Sequence, residues 1–307
     1  MKKLKIRKLN IGQLGTLKID IPVISIGTGP KRAVFLCGMH GDEKSGLFVI
    51  NELLKEVKEL QGTIDIVLAT NPLAQALQQR VSPNDSHDLN RVFPGNAKGE
   101  FTQRIAKEVV RLCEGASIVI DLHTFQDNAP IVAIFMNSGT STIRKKIKDL
   151  IKIFSPDAVW KLNFASQDEA KLTGALGPIL ANMEIPNFAV EMPECFLISD
   201  DQIKRVKEGL LGVLGNVGIS KSDIEIGKTS PPMFHKINIR TDNAGLFLPA
   251  KKVLSKVTPG DIVGQLVRLP LFEAEDMKAS CSGTLLVIKT RDLVSTGDTI
   301  FSIGIKA

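Results

Sequence analysis

The chain has 307 residues, of which 43% are hydrophobic and 23% are charged, a composition typical of a globular protein with a sizeable core. This length favours one large domain, or one large domain with a smaller one beside it. Only 5% of the residues are aromatic and the net charge of +6 is spread along the chain, so we expect no nucleic acid partner. No apolar stretch approaches the length of a membrane span, and we expect no membrane association.

The start of the chain is basic, as in a secretory signal peptide, but polar residues such as Asn10 and Lys18 interrupt any apolar segment after it. The four cysteines are scattered singly with no CxxC pair, which is typical of reduced thiols in a protein core. They are Cys37, Cys113, Cys195 and Cys281. Both features predict a cytoplasmic protein.

Short apolar runs alternate with helical patterns over the first two-thirds of the chain. The apolar runs predict strands at residues 33–36, 64–69, 118–120, 131–135 and 188–190. Apolar residues near 3.6 spacing predict intervening helices at residues 47–57, 101–113, 143–154 and 203–213. This alternation predicts an α/β domain with a mostly parallel mixed sheet flanked by helices.

The pattern changes after about residue 220. Residues 221–232 are polar and contain proline, as in a linker, and short strand-like runs separated by turns follow them. The sequence therefore predicts two domains: a catalytic-size α/β domain over residues 1–225 and a small all-β domain over residues 226–307.

Two of the four histidines follow predicted buried strands. His40 lies in the turn after the first strand, Glu43 comes three residues later, and His123 ends the strand that begins at residue 118. The carboxyl ends of parallel strands meet at one edge of a sheet, where such folds bind ligands. Two histidines and a glutamate are a known ligand set for catalytic zinc. An isolated HxxE pattern is common, so it is the position after buried strands that favours a metal site.

Asp121 lies two residues before His123, so both side chains face the same way on a strand. Its carboxylate could orient the imidazole from behind. Alternatively, it could cap the turn that follows. Both interpretations stay open at the level of sequence.

Residues 71–95 form a long segment without periodicity, and long loops in a domain of this size are usually functional. It contains Arg80, Asn90 and Arg91, whose guanidinium and amide groups suit binding of a carboxylate. The alternative is that Asp88 and Arg91 pair with each other across a turn. His87 is expected to be a solvated loop residue.

A hydrolase also needs a group that transfers protons. Glu191 directly follows the predicted strand at residues 188–190, and Glu194 comes three residues later. A carboxylate at a strand end near the metal could take a proton from water and pass it to a leaving amine. Glu191 is the better candidate, and we assign no role to His235.

Taken together, these residues resemble the succinylglutamate desuccinylase/aspartoacylase family of zinc-dependent deacylases, which are related to the zinc carboxypeptidases. The matching segments arrive in the family's order within residues 33–195, and the ordered set is more specific than any one of them. They are Gly38-Met39-His40-Gly41-Asp42-Glu43, Asn71-Pro72, Arg80, Asp88-Leu89-Asn90-Arg91-Val92-Phe93-Pro94-Gly95 and Asp121-Leu122-His123-Thr124. The resemblance implies a zinc-carboxypeptidase-like catalytic domain, and the all-β tail resembles the small domain of many family members.

The resemblance also implies roles for individual residues. His40, Glu43 and His123 would bind one zinc ion per chain, with water completing the site. Glu191 would be the general base and acid. Family members often have a glycine two residues after this glutamate where this chain has Pro193, which leaves Glu194 as an alternative.

The remaining implied roles concern the substrate. Arg80 would polarise the scissile carbonyl and stabilise its oxyanion. Asn90 and Arg91 would bind the substrate's carboxylate. The expected partner is therefore a small N-acylated molecule that carries a carboxylate, and the protein could be a homo-oligomer.

The resulting hypothesis is a zinc-dependent hydrolase that cleaves the amide bond of an N-acyl amino acid or a similar small N-acyl amine. One alternative is a metallocarboxypeptidase, against which the β domain argues because it would restrict access for long peptides. Another is a non-catalytic binding protein that keeps the fold. A purely structural zinc site is disfavoured because such sites are usually closed by four ligands rich in cysteine.

Overall fold

Helices and strands are interleaved from Lys5 to Asn216, and strands alone follow in the rest of the chain that the structure describes. The computed structural model describes residues 4–57, 59–125, 127–221 and 229–307. The strands of the first part are β1 (Lys5–Leu14), β2 (Leu17–Gly27), β3 (Arg32–Cys37), β4 (Thr63–Val67), β5 (Ile118–Thr124), β6 (Val132–Met136), β7 (Ala158–Leu162) and β8 (Asn187–Met192). The helices are α1 (Ser45–Glu56), α2 (Pro72–Ala76), α3 (Phe101–Cys113), α4 (Ser141–Phe154), α5 (Gln167–Ala170), α6 (Leu176–Asn182) and α7 (Asp200–Asn216).

The strands of the second part are β9 (Met233–Arg240), β10 (Gly245–Pro249), β11 (Lys256–Val257), β12 (Ile262–Arg268), β13 (Glu273–Lys278), β14 (Gly283–Ile288), β15 (Asp292–Val294) and β16 (Thr299–Lys306). Within the described ranges, no helix is long and apolar enough to cross a membrane.

A twelve-stranded mixed sheet runs through the molecule in the order β1-β2-β4-β3-β5-β8-β6-β7-β9-β16-β14-β11. At its centre β3 pairs in parallel with β4 and β5, and β5 pairs in parallel with β8. Strands β3 and β5 are buried over almost their whole length, which is why they appear in the sequence as continuous apolar runs. The predicted α/β fold with helices flanking a mixed sheet is confirmed.

The central sheet separates two apolar cores. Phe35 of β3 packs in the core that α1, α4 and α7 cover, whereas its neighbours Val34 and Leu36 pack in the core beneath α3. Successive side chains of a strand point to opposite faces, so a single run of apolar residues supplies both layers. Strands β3 and β5 are therefore packed on both faces by the two cores.

The N-terminal strands β1 and β2 were not predicted from the sequence. In β2, Ile19, Ile21 and Val23 are buried while the residues between them are exposed or half-buried. The polar residues that interrupt an apolar run therefore mark the period-2 alternation of a strand with one buried face. The two strands form an antiparallel hairpin that joins the sheet through β2 and β4.

The described part of the C-terminal region, residues 229–307, contains strands and no helix, as predicted. These strands divide between two sheets, because β9, β16, β14 and β11 continue the large sheet while β13, β12, β10 and β15 form a second, antiparallel one. The connection is parallel pairing of β9 with β7, with Trp160 opposite Phe234. The predicted domain boundary at residues 225 and 226, and most of the predicted linker, lie outside the described residues, so the two-domain division stays a prediction.

Candidate functional site

The site lies at the carboxyl ends of the central parallel strands. His40 is in the loop after β3, and His123 is near the end of β5. Glu191 lies beside His123 on the neighbouring strand β8, in parallel register. The sheet thus brings together residues that are up to about 150 positions apart in the chain, at the edge where open α/β sheets bind ligands.

Close packing shapes the loop that carries His40. Gly38 has a φ of +66°, a left-handed conformation that glycine adopts without strain. A Cβ atom on Gly41 would lie 2.0 Å from the backbone of Ala74 in α2. The Gly41 N–H donates to the Gln79 carbonyl at 3.0 Å, and the Asn71 N–H donates to the Gly38 carbonyl at 2.8 Å. The two glycines therefore let the loop lie directly against α2.

Glu43 lies between the two imidazoles. Its Oε1 is 2.6 Å from Nδ1 of His40 and its Oε2 is 2.8 Å from Nδ1 of His123. The backbone N–H of Thr124 also donates to Oε2 at 3.0 Å. The two rings lie 5.1 Å apart, and each of the three side chains is nearly inaccessible to solvent. One ligand atom from each residue lies within 4.8 Å of the others.

A carboxylate lies behind each imidazole. Nε2 of His40 is 3.0 Å from Asp88, and Nε2 of His123 is 2.7 Å from Asp121. Of the two sequence interpretations of Asp121, the structure shows the one in which its carboxylate orients His123. Such carboxylate–histidine pairs fix the ring orientation and make the other ring nitrogen a better metal donor.

The ionisable side chains of this buried cluster shift one another's pKa values. Burial alone would lower the pKa of His123, but Asp121 and Glu43 raise it well above its usual value. The pKa of His40 is raised as well, because Glu43 and Asp88 outweigh burial. Burial alone would raise the pKa of Glu43, but the two histidines lower it. The carboxylates therefore favour the protonated, positively charged form of both imidazoles.

Arg80 joins this network through Asp88. Its Nε and Nη2 donate to Oδ2 of Asp88 at 3.2 and 3.0 Å, and its Nη1 lies 3.5 Å from Oε1 of Glu43. Burial alone would raise the pKa of Asp88, but the hydrogen bond from His40 and the charges of His40, Arg80 and Arg91 lower it. Sequence reasoning missed Asp88 as a partner of His40, because nothing in a loop without periodicity indicates which side chain faces the histidine.

The other two predicted substrate residues follow Asp88 in a short 3₁₀ helix, Leu89–Arg91. The Asn90 side-chain oxygen accepts from the Leu176 N–H at 3.0 Å. The Arg91 guanidinium donates to the Asn90 carbonyl at 2.8 Å and lies 3.8 Å from Asp88. The proposed pairing of Asp88 with Arg91 is thus the weakest of the contacts of Asp88, and the Arg91 side chain is one-third exposed.

The two candidate glutamates differ in their surroundings. Glu191 lines the cleft beside His123 and is partly exposed. Burial raises its pKa above the ordinary glutamate value, although His123 acts in the opposite direction. Glu194 instead accepts a hydrogen bond from the Cys195 N–H at 2.9 Å. These surroundings favour Glu191 as the group that faces a substrate.

The remaining histidines lie away from this group. His87 contacts Glu100 at 2.5 Å, and both side chains are exposed. His235 lies 3.4 Å from the Asn163 amide. His87 is thus an exposed loop residue, as expected from the sequence.

A cleft of about 300 Å³ opens over the histidine pair. Its charged and polar lining consists of residues already described together with Asp127, and its apolar wall is formed by aromatic and aliphatic side chains. The apolar residues are Phe125, Ile134, Met136, Trp160, Leu162, Leu172 and Ala189. The cleft thus has the size and mixed lining of a site for a small molecule.

The donor set fits a divalent metal ion. Two imidazole nitrogens and a carboxylate oxygen converge, and each imidazole has a carboxylate on its far side, as in three-ligand catalytic zinc sites. Cys37, the nearest cysteine along the chain, is buried and its pKa is raised, chiefly by that burial. The site therefore has the ligand chemistry of a catalytic centre rather than that of a cysteine-rich structural site.

A large mixed sheet with a His–Glu–His group at its carboxyl edge, beneath a small cleft, defines an α/β protein with a candidate metal centre. Residues 30–216, more than half of the chain, match the model of the succinylglutamate desuccinylase/aspartoacylase catalytic domain. The chain therefore belongs to the succinylglutamate desuccinylase/aspartoacylase family, and the resemblance seen in the sequence is confirmed.

Individual relatives agree with this assignment. The chain is 24% identical over 302 residues to an N-alpha-acetyl-L-2,4-diaminobutyric acid deacetylase of Halomonas elongata, covering 93% of this chain and 85% of that one. The product-bound ectoine utilization protein EutE of Ruegeria pomeroyi has a similar structure, with a TM-score of 0.86 at 22% identity over 99% of this chain and 96% of that one. A succinylglutamate desuccinylase of Silicibacter sp. TM1040 gives a TM-score of 0.84 at 22% identity over 99% and 95% of the two chains.

Proposed function

We propose that the protein is a zinc-dependent deacylase that hydrolyses the amide bond of a small N-acyl amino acid. The observation that carries the proposal is the convergence of His40, Glu43 and His123 at the floor of the cleft, with Glu191 beside them. Family membership and the deacetylase relative support the reaction class.

His40, Glu43 and His123 would hold one zinc ion per chain. A bound zinc ion supplies Lewis acidity and makes a water molecule acidic enough to react near neutral pH. Asp88 and Asp121 keep the two rings oriented for this task, since each accepts from the far nitrogen of its histidine. The orientation of the two imidazole rings would thereby be set by the protein before the ion binds.

Glu191 is the proton-transferring group. It accepts a proton from the attacking water and later gives that proton to the amine as the amide bond breaks, so the acyl group leaves as a carboxylic acid and the amino acid as a free amine. The raised pKa of its carboxyl group suits a residue that must both accept and donate a proton.

Arg80 and Arg91 supply the positive charge of the cleft. The Arg80 guanidinium, held by Asp88, stabilises negative charge on the acyl oxygen during attack. Arg91, with the neighbouring Asn90, binds the carboxylate of the amino acid, for which a guanidinium has the right planar geometry. The apolar wall of the cleft contacts the rest of the substrate.

The first test measures metal content and activity together. The protein purified in the presence of zinc should contain about one zinc per chain by elemental analysis and should release amine from N-acetyl amino acids. The variant His123→Ala should lose the metal and the activity but keep its circular dichroism spectrum. The variant His87→Ala, which removes an exposed histidine outside the site, is the matched control and should keep both. Full zinc retention in His123→Ala would contradict the ligand set.

A further inference from the structure

One carboxylate in the cleft has no part in the proposed reaction. Asp127 lies in the short connection between β5 and β6 and lines the same cleft as Arg80 and Arg91. The next residue, Asn128, forms a two-way backbone bridge with Ile288 of β14, at 3.2 and 3.0 Å. This bridge holds the segment that carries Asp127 against the C-terminal strands.

The charge of Asp127 is only partly balanced by its protein neighbours. The Thr290 backbone N–H donates to its carboxylate. Lys289 forms a long ion pair with it, since its Nζ lies 3.9 Å from Asp127 and closer, at 3.4 Å, to Asp292. The Asp127 side chain remains 20% exposed. Burial, above all, raises the pKa of its carboxyl group, so a further cation beside it would favour the ionised form.

The cleft therefore has charges of both signs on its walls. Arg80 and Arg91 can bind and polarise the carboxylate and acyl oxygens of a substrate, and Asp127 faces the same space with the opposite charge. A neutral or acidic side chain on the substrate would leave this half-buried carboxylate with only the long contact to Lys289 and the Thr290 N–H among its described partners, whereas an ammonium group would add a cation beside it.

We propose that Asp127 is a specificity-determining residue that binds a free ammonium group of the substrate, so that the preferred substrates are N-acyl diamino acids. This inference rests on the proposed function and names the substrate class for the same site. The acylated amine is the one that is cleaved, and the second amine stays protonated and is held by Asp127.

The test compares two substrates that differ by one charged group. Nα-acetyl-2,4-diaminobutyrate and N-acetylnorvaline have side chains of equal length, ending in an ammonium and a methyl group. The zinc-loaded wild-type protein should show a kcat/KM at least about tenfold higher for the first, the scale of one favourable ion pair in a partly buried site. The variant Asp127→Asn should reduce this ratio about tenfold through a higher KM for the charged substrate, while N-acetylnorvaline hydrolysis changes little.

Two further variants separate recognition from a structural role. Asp292→Asn removes the other carboxylate partner of Lys289 and so frees this cation for Asp127, which should lower the preference without changing a residue that lines the cleft. Lys289→Met removes the cation that competes for Asp127 and should increase the preference for the charged substrate. The wild-type ratio and the Lys289→Met ratio test the inference even if Asp127→Asn does not fold.

The outcomes distinguish this inference from the proposed function. Failure of the zinc-loaded protein to hydrolyse any N-acetyl amino acid would overturn the proposed function. Hydrolysis of both substrates with equal efficiency, a preference for N-acetylnorvaline, or an unchanged ratio in folded Asp127→Asn would overturn the assignment of Asp127 alone.

Discussion

Replacing Asp88 by asparagine tests whether the carboxylate behind His40 prepares the metal site. Asp88 accepts from His40 at 3.0 Å, from the Asn90 N–H at 2.9 Å and from two nitrogens of Arg80. Asparagine has the same shape and keeps one acceptor oxygen, but it is neutral. The substitution therefore removes the charge and leaves the packing.

The expected loss of zinc affinity follows from these contacts. Loss of a carboxylate behind a metal-binding histidine typically lowers metal affinity by about 10- to 100-fold, or about 1.4–2.7 kcal/mol. In Asp88→Asn the amide oxygen can still accept from His40, but the NH₂ group then faces the Arg80 guanidinium, donor against donor. We expect a loss of at least about tenfold for Asp88→Asn, and one nearer about 100-fold for Asp88→Ala, which removes every acceptor.

The assay is competition for zinc between the protein and a chromophoric chelator at fixed pH, which reads metal binding without activity. The matched control is Glu100→Gln, which removes the carboxylate from His87 at a contact of 2.5 Å on the exposed surface. Glu100→Gln should bind zinc as the wild type does. Wild-type affinity in a folded Asp88→Asn protein would refute the reasoning, since the carboxylate would then only fix the loop.

Two further predictions concern proton transfer and pH. Glu191→Gln should keep its zinc and lose at least about 100-fold in kcat, the usual scale for general acid–base catalysis. Glu194→Gln should lose little activity in the same steady-state assay. The reverse result would assign the proton transfer to Glu194. The pKa values of His40 and His123 are raised, chiefly by carboxylates acting against burial, and metal binding needs the neutral rings. Protons therefore compete with zinc from above the ordinary histidine pKa of about 6.5, so zinc affinity measured by chelator competition should rise with pH through neutrality, and a flat profile would contradict this.

The fold could be predicted where its periodicity was simple. The strand around Phe35 is buried on both faces and is therefore a continuous apolar run, and the helix Ser141–Phe154 has a clear apolar stripe. Strand β2 was missed because its polar residues alternate with buried ones such as Ile21. The continuation of the large sheet through β9 was missed too, because pairing between Trp160 and Phe234 is a long-range choice that no local pattern encodes.

The candidate site, like the fold, could be predicted only in part from the sequence. His40 and His123 could be predicted to meet because one follows a buried strand and the other lies at the end of the next, and parallel pairing of these strands brings their carboxyl ends together. The position of Asp88 depends on the path of an aperiodic loop, so its contact with His40 is visible only in three dimensions. Likewise, Asp127 has no sequence motif, and its place in the cleft depends on the bridge to Ile288.

The charges of the residues in this pocket balance one another. Three buried or half-buried carboxylates, from Glu43, Asp88 and Asp121, surround two imidazoles. Unpaired, that much negative charge would be strongly unfavourable in a pocket where the histidines are only 3% exposed. Two imidazolium protons and one divalent cation carry the same charge, so exchanging the protons for the proposed zinc ion would leave the charge balance of the pocket unchanged. The three carboxylates would therefore stabilise a doubly positive centre in either form: Glu43 as a ligand of the proposed metal, and Asp88 and Asp121 as the groups that orient the two histidines.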